Sequence, residues 1–184
     1  NFHRINDADE RSYVQATFHQ FSFFPWNQDV FRLFDRMKEI YWVRNLCCSL
    51  PQDSFLGRKP NEGCAARLSF QFYPSGLGSM NRHLDPYDFH QTVVPVVVMS
   101  KKGEDFHSGG TFVENQEGQA VCIDDLVDIG DVIYFNSQMP HGIAKIDPDK
   151  EPNWLSFQGR WSLLIAVNRL ASNEKISDSR DLDA

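Results

Sequence analysis

The chain has 184 residues, of which 41% are hydrophobic and 23% are charged, as expected for one globular domain with a buried core. Its formal net charge of −7 argues against a general nucleic-acid surface, because binding phosphates requires clustered lysines and arginines. No apolar run is long enough to span a bilayer. The four cysteines form no C-x-x-C pair, which argues against a disulfide framework or a zinc site and makes a reducing cytoplasm the expected compartment.

The N-terminal part of the chain is predicted to contain an extended segment followed by a helix. Residues 1–27 are rich in aromatic side chains and are interpreted as a strand or an extended lid. From residue 29 apolar side chains recur at steps of three and four, which predicts an amphipathic helix over 29–50. Asn27 is the predicted N-cap, and Pro51 ends the helix. A polar loop continues through Gly63.

After Gly63 the apolar spacing changes from the helical period to alternation or short apolar runs, which is typical of β-strands. Pro95, inside the third of these segments, implies a bulge or a sheet edge. Short strands separated by turns and preceded by a buttressing helix predict a mainly β fold, a double-sheet jelly roll. The predicted strands are 65–73, 82–85, 93–99, 111–114, 120–123, 131–136, 142–146 and 161–167.

The whole chain, 1–184, is interpreted as a single domain in three parts. Residues 1–63 form an N-terminal helical and lid region, and residues 64–170 form the jelly-roll core. Residues 150–158 are interpreted as an inserted loop. Residues 171–184 form a polar tail, which we expect to be frayed.

Three residues are candidate metal ligands: His83, Asp85 and His141. Two imidazoles and one carboxylate make a facial triad, which holds Fe(II) on one face and leaves the opposite positions open. A His-x-Asp tripeptide alone is weak evidence, since chance supplies it about once in two chains of this composition. The context strengthens it, because Gly130-Asp131 opens an apolar strand that turns and delivers His141 to the next strand. A surface ion pair at 83 and 85 and a loop histidine at 141 are the alternative interpretations.

From about Arg67 to Leu170 the chain resembles the double-stranded β-helix core, a jelly-roll or cupin-like fold, of the Fe(II)/2-oxoglutarate-dependent dioxygenases. The resemblance covers more than half of the chain. The motifs that carry it are Tyr73-Pro74-x-Gly76, His83-x-Asp85, Gly109-Gly110-Thr111-Phe112, Gly130-Asp131 before His141, and Arg160-x-Ser162.

The resemblance implies roles for the candidate site residues. His83, Asp85 and His141 would be the iron ligands and the catalytic centre. Arg160 would pair with the distal carboxylate of 2-oxoglutarate, for which a guanidinium fork is well shaped. Ser162, two residues further along the same strand face, would also hydrogen-bond that carboxylate.

Further residues are candidates for binding the cosubstrate or the substrate. Tyr73 would reach the cosubstrate carboxylate through its hydroxyl group. The alternative arginine anchors are Arg67, Arg82 and Arg169. Candidates for contacting the substrate are Gln71, Arg82, His90 and Lys101, and substrate choice is expected to depend on 1–27, 51–63, 74–81, 86–90 and 101–109.

The implied activity consumes 2-oxoglutarate and O2 at Fe(II) and hydroxylates an unactivated C–H bond, with release of succinate and CO2. A carboxylate at Asp85 favours hydroxylation over halogenation, because related halogenases carry Gly or Ala there. A small-molecule substrate is the leading interpretation. The alternatives are a protein or nucleic-acid hydroxylase or demethylase on the same fold, and a non-catalytic cupin-like ligand-binding module. Nucleic-acid-dealkylating relatives carry a second arginine where Ala166 stands, which counts against that alternative.

Overall fold

A computed structural model of the chain describes residues 2–87, 90–170 and 178–184. Within these ranges the chain forms one α-helix, α1 (Leu33–Cys47), a short 3₁₀ helix at Ile123–Asp125, and eleven strands. The strands are β1 (Phe2–Ile5), β2 (Ala16–Phe23), β3 (Cys64–Pro74), β4 (Ser79–Leu84), β5 (Val93–Val98), β6 (Gly110–Glu114), β7 (Ala120–Cys122), β8 (Val132–Asn136), β9 (His141–Ala144), β10 (Gly159–Arg169) and β11 (Arg180–Asp181).

The eight strands β3 to β10 are divided between two antiparallel sheets. One sheet has the order β3-β10-β5-β8 and the other has the order β4-β9-β6-β7. Strand β2 joins them, because it pairs with β3 through residues 19–23 and with β4 through residues 16–17. The resulting curled sheet is the predicted jelly roll, and its two layers face each other across the interior.

Helix α1 covers the outer face of the first sheet, as a buttress. Tyr41, fully buried, packs against Leu68 and Leu163 of β3 and β10 in a common apolar cluster. Its hydroxyl donates to the backbone carbonyl of Arg67 at 2.8 Å and also lies 3.0 Å from that of Ala166. The helix therefore fixes the two longest strands of the core. Among the described residues, no helix has the length and apolar composition needed to cross a membrane.

The ends of α1 differ from the prediction. The helix begins at Leu33 rather than near residue 29, and Asn27 is not its N-cap. The Asp29 carboxylate accepts the first backbone N–H groups instead, from Leu33 at 2.7 Å and from Phe34 at 3.0 Å. The helix ends at Cys47, before Pro51.

The eight predicted core strands are all present, and Pro95 lies where its missing N–H is tolerated. Strand β10 pairs with β5 only through Val96–Val98, so at Pro95 the strand is paired with β8 alone. A proline at such a local edge breaks no ladder on that side.

The prediction of a frayed tail is wrong for residues 178–184. Strand β11 pairs with β4, and Asp181 stands opposite His83. The Asp181 carboxylate accepts the backbone N–H of Gln15 at 2.8 Å, so a polar side chain rather than apolar burial holds this end. Residues 171–177, the rest of the predicted tail, and residues 88–89 of the predicted 86–90 loop lie outside the described residues.

Candidate metal centre and adjoining cavity

The three predicted ligands meet at the edge of the second sheet. His83 near the end of β4 and His141 at the start of β9 are direct cross-strand neighbours, with ring centroids 4.2 Å apart. Asp85 follows β4, and its backbone N–H donates to the Ser137 carbonyl at 3.0 Å. This bond turns the chain so that the Asp85 carboxylate lies between the two rings.

The geometry of the cluster suits a divalent metal. The Asp85 carboxylate oxygens lie 3.7 Å from Nε2 of His83 and 3.6 Å from Nε2 of His141. All three potential donor atoms lie within 4.8 Å of one another. These separations exceed hydrogen-bond lengths, so the three donors surround a common point instead of bonding one another.

Backbone carbonyls fix which nitrogen each histidine offers. The Nδ1–H of His83 donates to the Asn81 carbonyl and that of His141 to the Met139 carbonyl, both at 2.9 Å. The Nε2 lone pairs therefore point to the cluster, an arrangement common for metal-binding histidines. Burial lowers the pKa of His141, although the Asp85 charge opposes the shift. The imidazole is thus held in the neutral form that a metal requires.

A cavity of about 340 Å³ adjoins this cluster between the two sheets. Arg160 and Ser162 of β10 stand opposite Tyr73 and Gln71 of β3 in the strand register, and all four line the cavity. Alternate residues of a strand share one face, so the Arg160-x-Ser162 spacing puts both side chains on the inner face. The structure thus places these four residues in the same cavity as the three candidate metal ligands.

Arg160 is held by a partner that the sequence did not indicate. Its Nε donates to Oδ2 of Asp124 at 2.8 Å, and both side chains are 2% exposed. Asp124 also accepts the backbone N–H of Thr111. Among the described residues, no hydrogen bond engages the terminal nitrogens of Arg160, which lines the cavity. The Asp124 carboxylate therefore orients the guanidinium and leaves its outer edge for an anion.

Hydroxyl groups surround the same end of the cavity. Tyr73 is almost fully buried, and burial raises the pKa of its phenol, so that the hydroxyl stays a hydrogen-bond donor. It lies 3.4 Å from Oε1 of Gln71. Thr111 Oγ1 is buried and lacks a hydrogen-bond partner within the described ranges, although Thr111 lines the cavity. A buried hydroxyl group without a hydrogen-bond partner costs free energy. A ligand in the cavity would supply the missing partner.

Sequence reasoning missed Thr111 and Asp124 as site residues, although the Gly109-Gly110 pair gave a signal. Gly110 has φ +113°, and a Cβ there would lie 2.5 Å from Oδ2 of Asp124. Glycine is therefore needed for the carboxylate to approach the strand and meet both Arg160 and Thr111. The Gly109-Gly110 pair, which by sequence is most simply a turn, thus also allows a close approach of backbone to side chain.

Two other predicted candidates are engaged elsewhere. Arg82 pairs with Glu114 at 3.2 Å and with Asp183 at 3.1 Å. Lys101 pairs with Asp128 at 3.0 Å. Neither lines the two cavities beside the metal cluster, so the structure does not bring them to the site.

The remaining candidates lie at a second cavity. Arg169 pairs with Asp178 at 2.8 Å. Both of these residues, together with His90 and Arg67, line a cavity of about 340 Å³ that Asp85 also lines.

Two solved structures share the fold. A prolyl-4-hydroxylase from Pseudomonas putida matches with a TM-score of 0.55 at 17% identity, over 90% of this chain and 77% of the other. A prolyl hydroxylase from Trichoplax adhaerens, in complex with a hypoxia inducible factor oxygen degradation domain peptide fragment, matches with a TM-score of 0.50 at 16% identity, over 88% of this chain and 68% of the other. No family model matches the chain, and no curated protein matches it in sequence.

At these identities the comparisons establish the fold. The predicted double-stranded β-helix with a buttressing helix is confirmed. The resemblance to the Fe(II)/2-oxoglutarate-dependent dioxygenases holds in this fold and in the clustering of His83, Asp85 and His141.

Proposed function

We propose that the protein is an Fe(II)- and 2-oxoglutarate-dependent oxygenase that hydroxylates a C–H bond of a small molecule. One observation carries the proposal: the His83, Asp85 and His141 donor atoms converge within 4.8 Å of one another beside a cavity that Arg160 also lines. The reaction converts 2-oxoglutarate, O2 and the substrate C–H into succinate, CO2 and a hydroxyl group.

The protein contributes ligands, orientation and enclosure to this reaction. His83, Asp85 and His141 would hold iron, which when bound supplies the activation of dioxygen for oxidising the C–H bond. The Asp85 carboxylate would partly neutralise the charge of the bound metal, and the anchored imidazoles would hold it from one side of the site.

The far end of the cavity is suited to the distal carboxylate of 2-oxoglutarate. The terminal nitrogens of Arg160 would donate to its oxygens, and the hydroxyl groups of Tyr73, Thr111 and Ser162 would complete the remaining hydrogen bonds. Because Asp124 fixes the Nε edge of the guanidinium, little side-chain entropy remains to be lost on binding. The cosubstrate would be oriented before the substrate enters.

The size of the enclosed space favours a small substrate. Each of the two cavities beside Asp85 has a volume of about 340 Å³, within the range of small-molecule pockets. A peptide substrate is the second candidate. It is favoured by the Trichoplax adhaerens neighbour, whose structure contains a peptide fragment.

Succinate formation tests the proposal. The protein loaded with Fe(II) should convert 2-oxoglutarate to succinate only in the presence of O2, and pools of small metabolites should accelerate the conversion more than proline-containing peptides. A His83→Ala variant should form no succinate, whereas substitution of Arg36, an exposed residue of α1, should have no effect. Binding of iron and 2-oxoglutarate without any turnover would favour a ligand-binding module instead. Faster turnover with peptides would favour a protein hydroxylase.

A further inference from the structure

A second arginine lies at the end of the interior opposite Arg160. Arg67 stands opposite Ala166 in the register of β3 and β10, whereas Tyr73 stands opposite Arg160. Six residues of extended strand separate these two positions, a distance of about 20 Å. Arg67 lines both cavities beside Asp85, so the two arginines mark the two ends of one continuous space.

No acidic side chain pairs with Arg67 among the described residues, although it lines the interior of the fold. Its Nη1 donates to Oδ1 of Asn168 at 3.3 Å, and its Nε is buried without a hydrogen-bond partner within the same ranges. By contrast, Arg160 pairs with Asp124 and Arg169 pairs with Asp178, each at 2.8 Å. A partly buried guanidinium without a counter-ion is costly, and a bound anion would relieve that cost.

The candidate metal centre lies between the two ends. The Asp85 carboxylate acts electrostatically on both the Tyr73 phenol and the Arg67 guanidinium, and Asp85 lines both cavities. It does not come within ion-pair distance of Arg67, and as a metal ligand its charge would be shared with a cation. A cosubstrate between the metal and Arg160 would therefore leave the space on the Arg67 side to the substrate.

We propose that the substrate carries a carboxylate group and that Arg67 binds it, so that the C–H bond to be oxidised is presented to the metal centre. The inference rests on the proposed oxygenase function and adds the substrate class. A carboxylate fits better than a phosphate, because Arg67 offers one uncompensated charge and Asp178 already neutralises the neighbouring Arg169. The planar guanidinium also matches the two oxygens of a carboxylate.

Binding measurements on the protein loaded with Fe(II) and 2-oxoglutarate, under anaerobic conditions, test this inference without requiring turnover. The probes are linear monocarboxylates such as hexanoate, each compared with its uncharged primary amide by titration calorimetry. Wild-type protein should bind each acid at least about tenfold more tightly than its amide, as expected for a charge-assisted contact. Arg67→Gln should remove most of this preference, and Arg67→Lys should retain part of it.

The controls separate this site from the cosubstrate site. Arg36→Gln removes an equal charge from an exposed residue of α1 and should leave the acid-to-amide ratio unchanged. The 2-oxoglutarate concentration needed for half-saturation should be the same in Arg67→Gln as in the wild type. Equal binding of acids and amides by the wild type, or an unchanged ratio in Arg67→Gln, would overturn the inference. So would a loss of 2-oxoglutarate binding in Arg67→Gln, which would assign Arg67 to the cosubstrate and leave the oxygenase proposal standing.

Discussion

Substituting methionine for Arg160 separates the two functions that its guanidinium combines, an ion pair with Asp124 and an anchor for the cosubstrate. Methionine keeps the length and apolar stem of arginine without the charge. It leaves the Asp124 carboxylate buried, with the backbone N–H of Thr111 as its remaining hydrogen-bond donor. The complementary change, Asp124→Asn, removes the carboxylate charge and leaves Arg160 available to the cavity.

The expected magnitudes follow from the burial of this pair. Both side chains are 2% exposed, and removing one partner of a buried ion pair costs about 3–5 kcal/mol of unfolding free energy. The double variant, in which neither charge remains, should recover more than half of that loss. For 2-oxoglutarate, Arg160→Met removes two charge-assisted hydrogen bonds, so the dissociation constant should rise at least about a hundredfold. Asp124→Asn keeps the anchor and removes a nearby negative charge, so affinity should hold or increase.

Urea denaturation of the four proteins gives the stability cycle, and anaerobic titration with 2-oxoglutarate gives the affinities. The exposed pair Arg32–Asp35, whose side chains are 77% and 62% exposed at 2.9 Å separation, is the matched control. The same cycle there should give a coupling energy below about 1 kcal/mol. An unchanged 2-oxoglutarate affinity in Arg160→Met would refute the assigned anchor. An equal loss of 2-oxoglutarate affinity in Asp124→Asn would show that the ion pair supports binding only by maintaining the local structure.

Three further substitutions test other parts of the site and its support. Asp85→Ala should weaken Fe(II) binding by more than about a hundredfold in a metal titration. Residues that only hydrogen-bond to metal ligands already change metal affinity by about 10–100-fold when mutated, and Asp85 would be a ligand itself. Tyr73→Phe should raise the 2-oxoglutarate requirement by about tenfold or less, since one neutral hydrogen bond is lost. Burial raises the pKa of the Asp147 carboxyl group. Hydrogen bonds from Lys150, Ser75 and backbone N–H groups outweigh this effect and hold the pKa well below its usual value. Asp147→Asn should cost about 2 kcal/mol in urea denaturation at pH 7. The ionised Asp147 carboxylate stabilises the fold fully above its unfolded-state pKa near 3.9, and this contribution is lost progressively as the pH falls below that value. The difference in unfolding free energy between wild type and Asp147→Asn should therefore shrink at pH 3.

The parts of the molecule that sequence reasoning reached are those set by local periodicity. The strands of the core follow from alternating or continuous apolar residues, and α1 follows from apolar residues at helical spacing. The metal ligands could be found because His83, near the end of β4, and Asp85, just after it, lie two residues apart, and His141 begins β9. Their convergence then follows from the topology of the jelly roll.

The parts that were missed depend on contacts between residues distant in sequence. Asp124 is 36 residues from Arg160, and nothing in its neighbourhood distinguishes it from other aspartates. Strand β11 is two residues long and is held by the Asp181 carboxylate, so no apolar pattern marks it. Asn27 resembled an N-cap, but its side-chain oxygen accepts the Phe24 N–H, and the choice between it and Asp29 depends on the path of the chain.

The central claim is that His83, Asp85 and His141 bind Fe(II) in a site that also chelates 2-oxoglutarate. The most direct test is anaerobic addition of Fe(II) and then 2-oxoglutarate to the purified protein, followed by visible absorption spectroscopy. We expect the metal-to-ligand charge-transfer band of the chelate in the wild type and in a variant of the exposed His107. The band should be absent in folded His141→Ala. A folded wild-type protein without the band, or a band that survives in His141→Ala, would contradict the account.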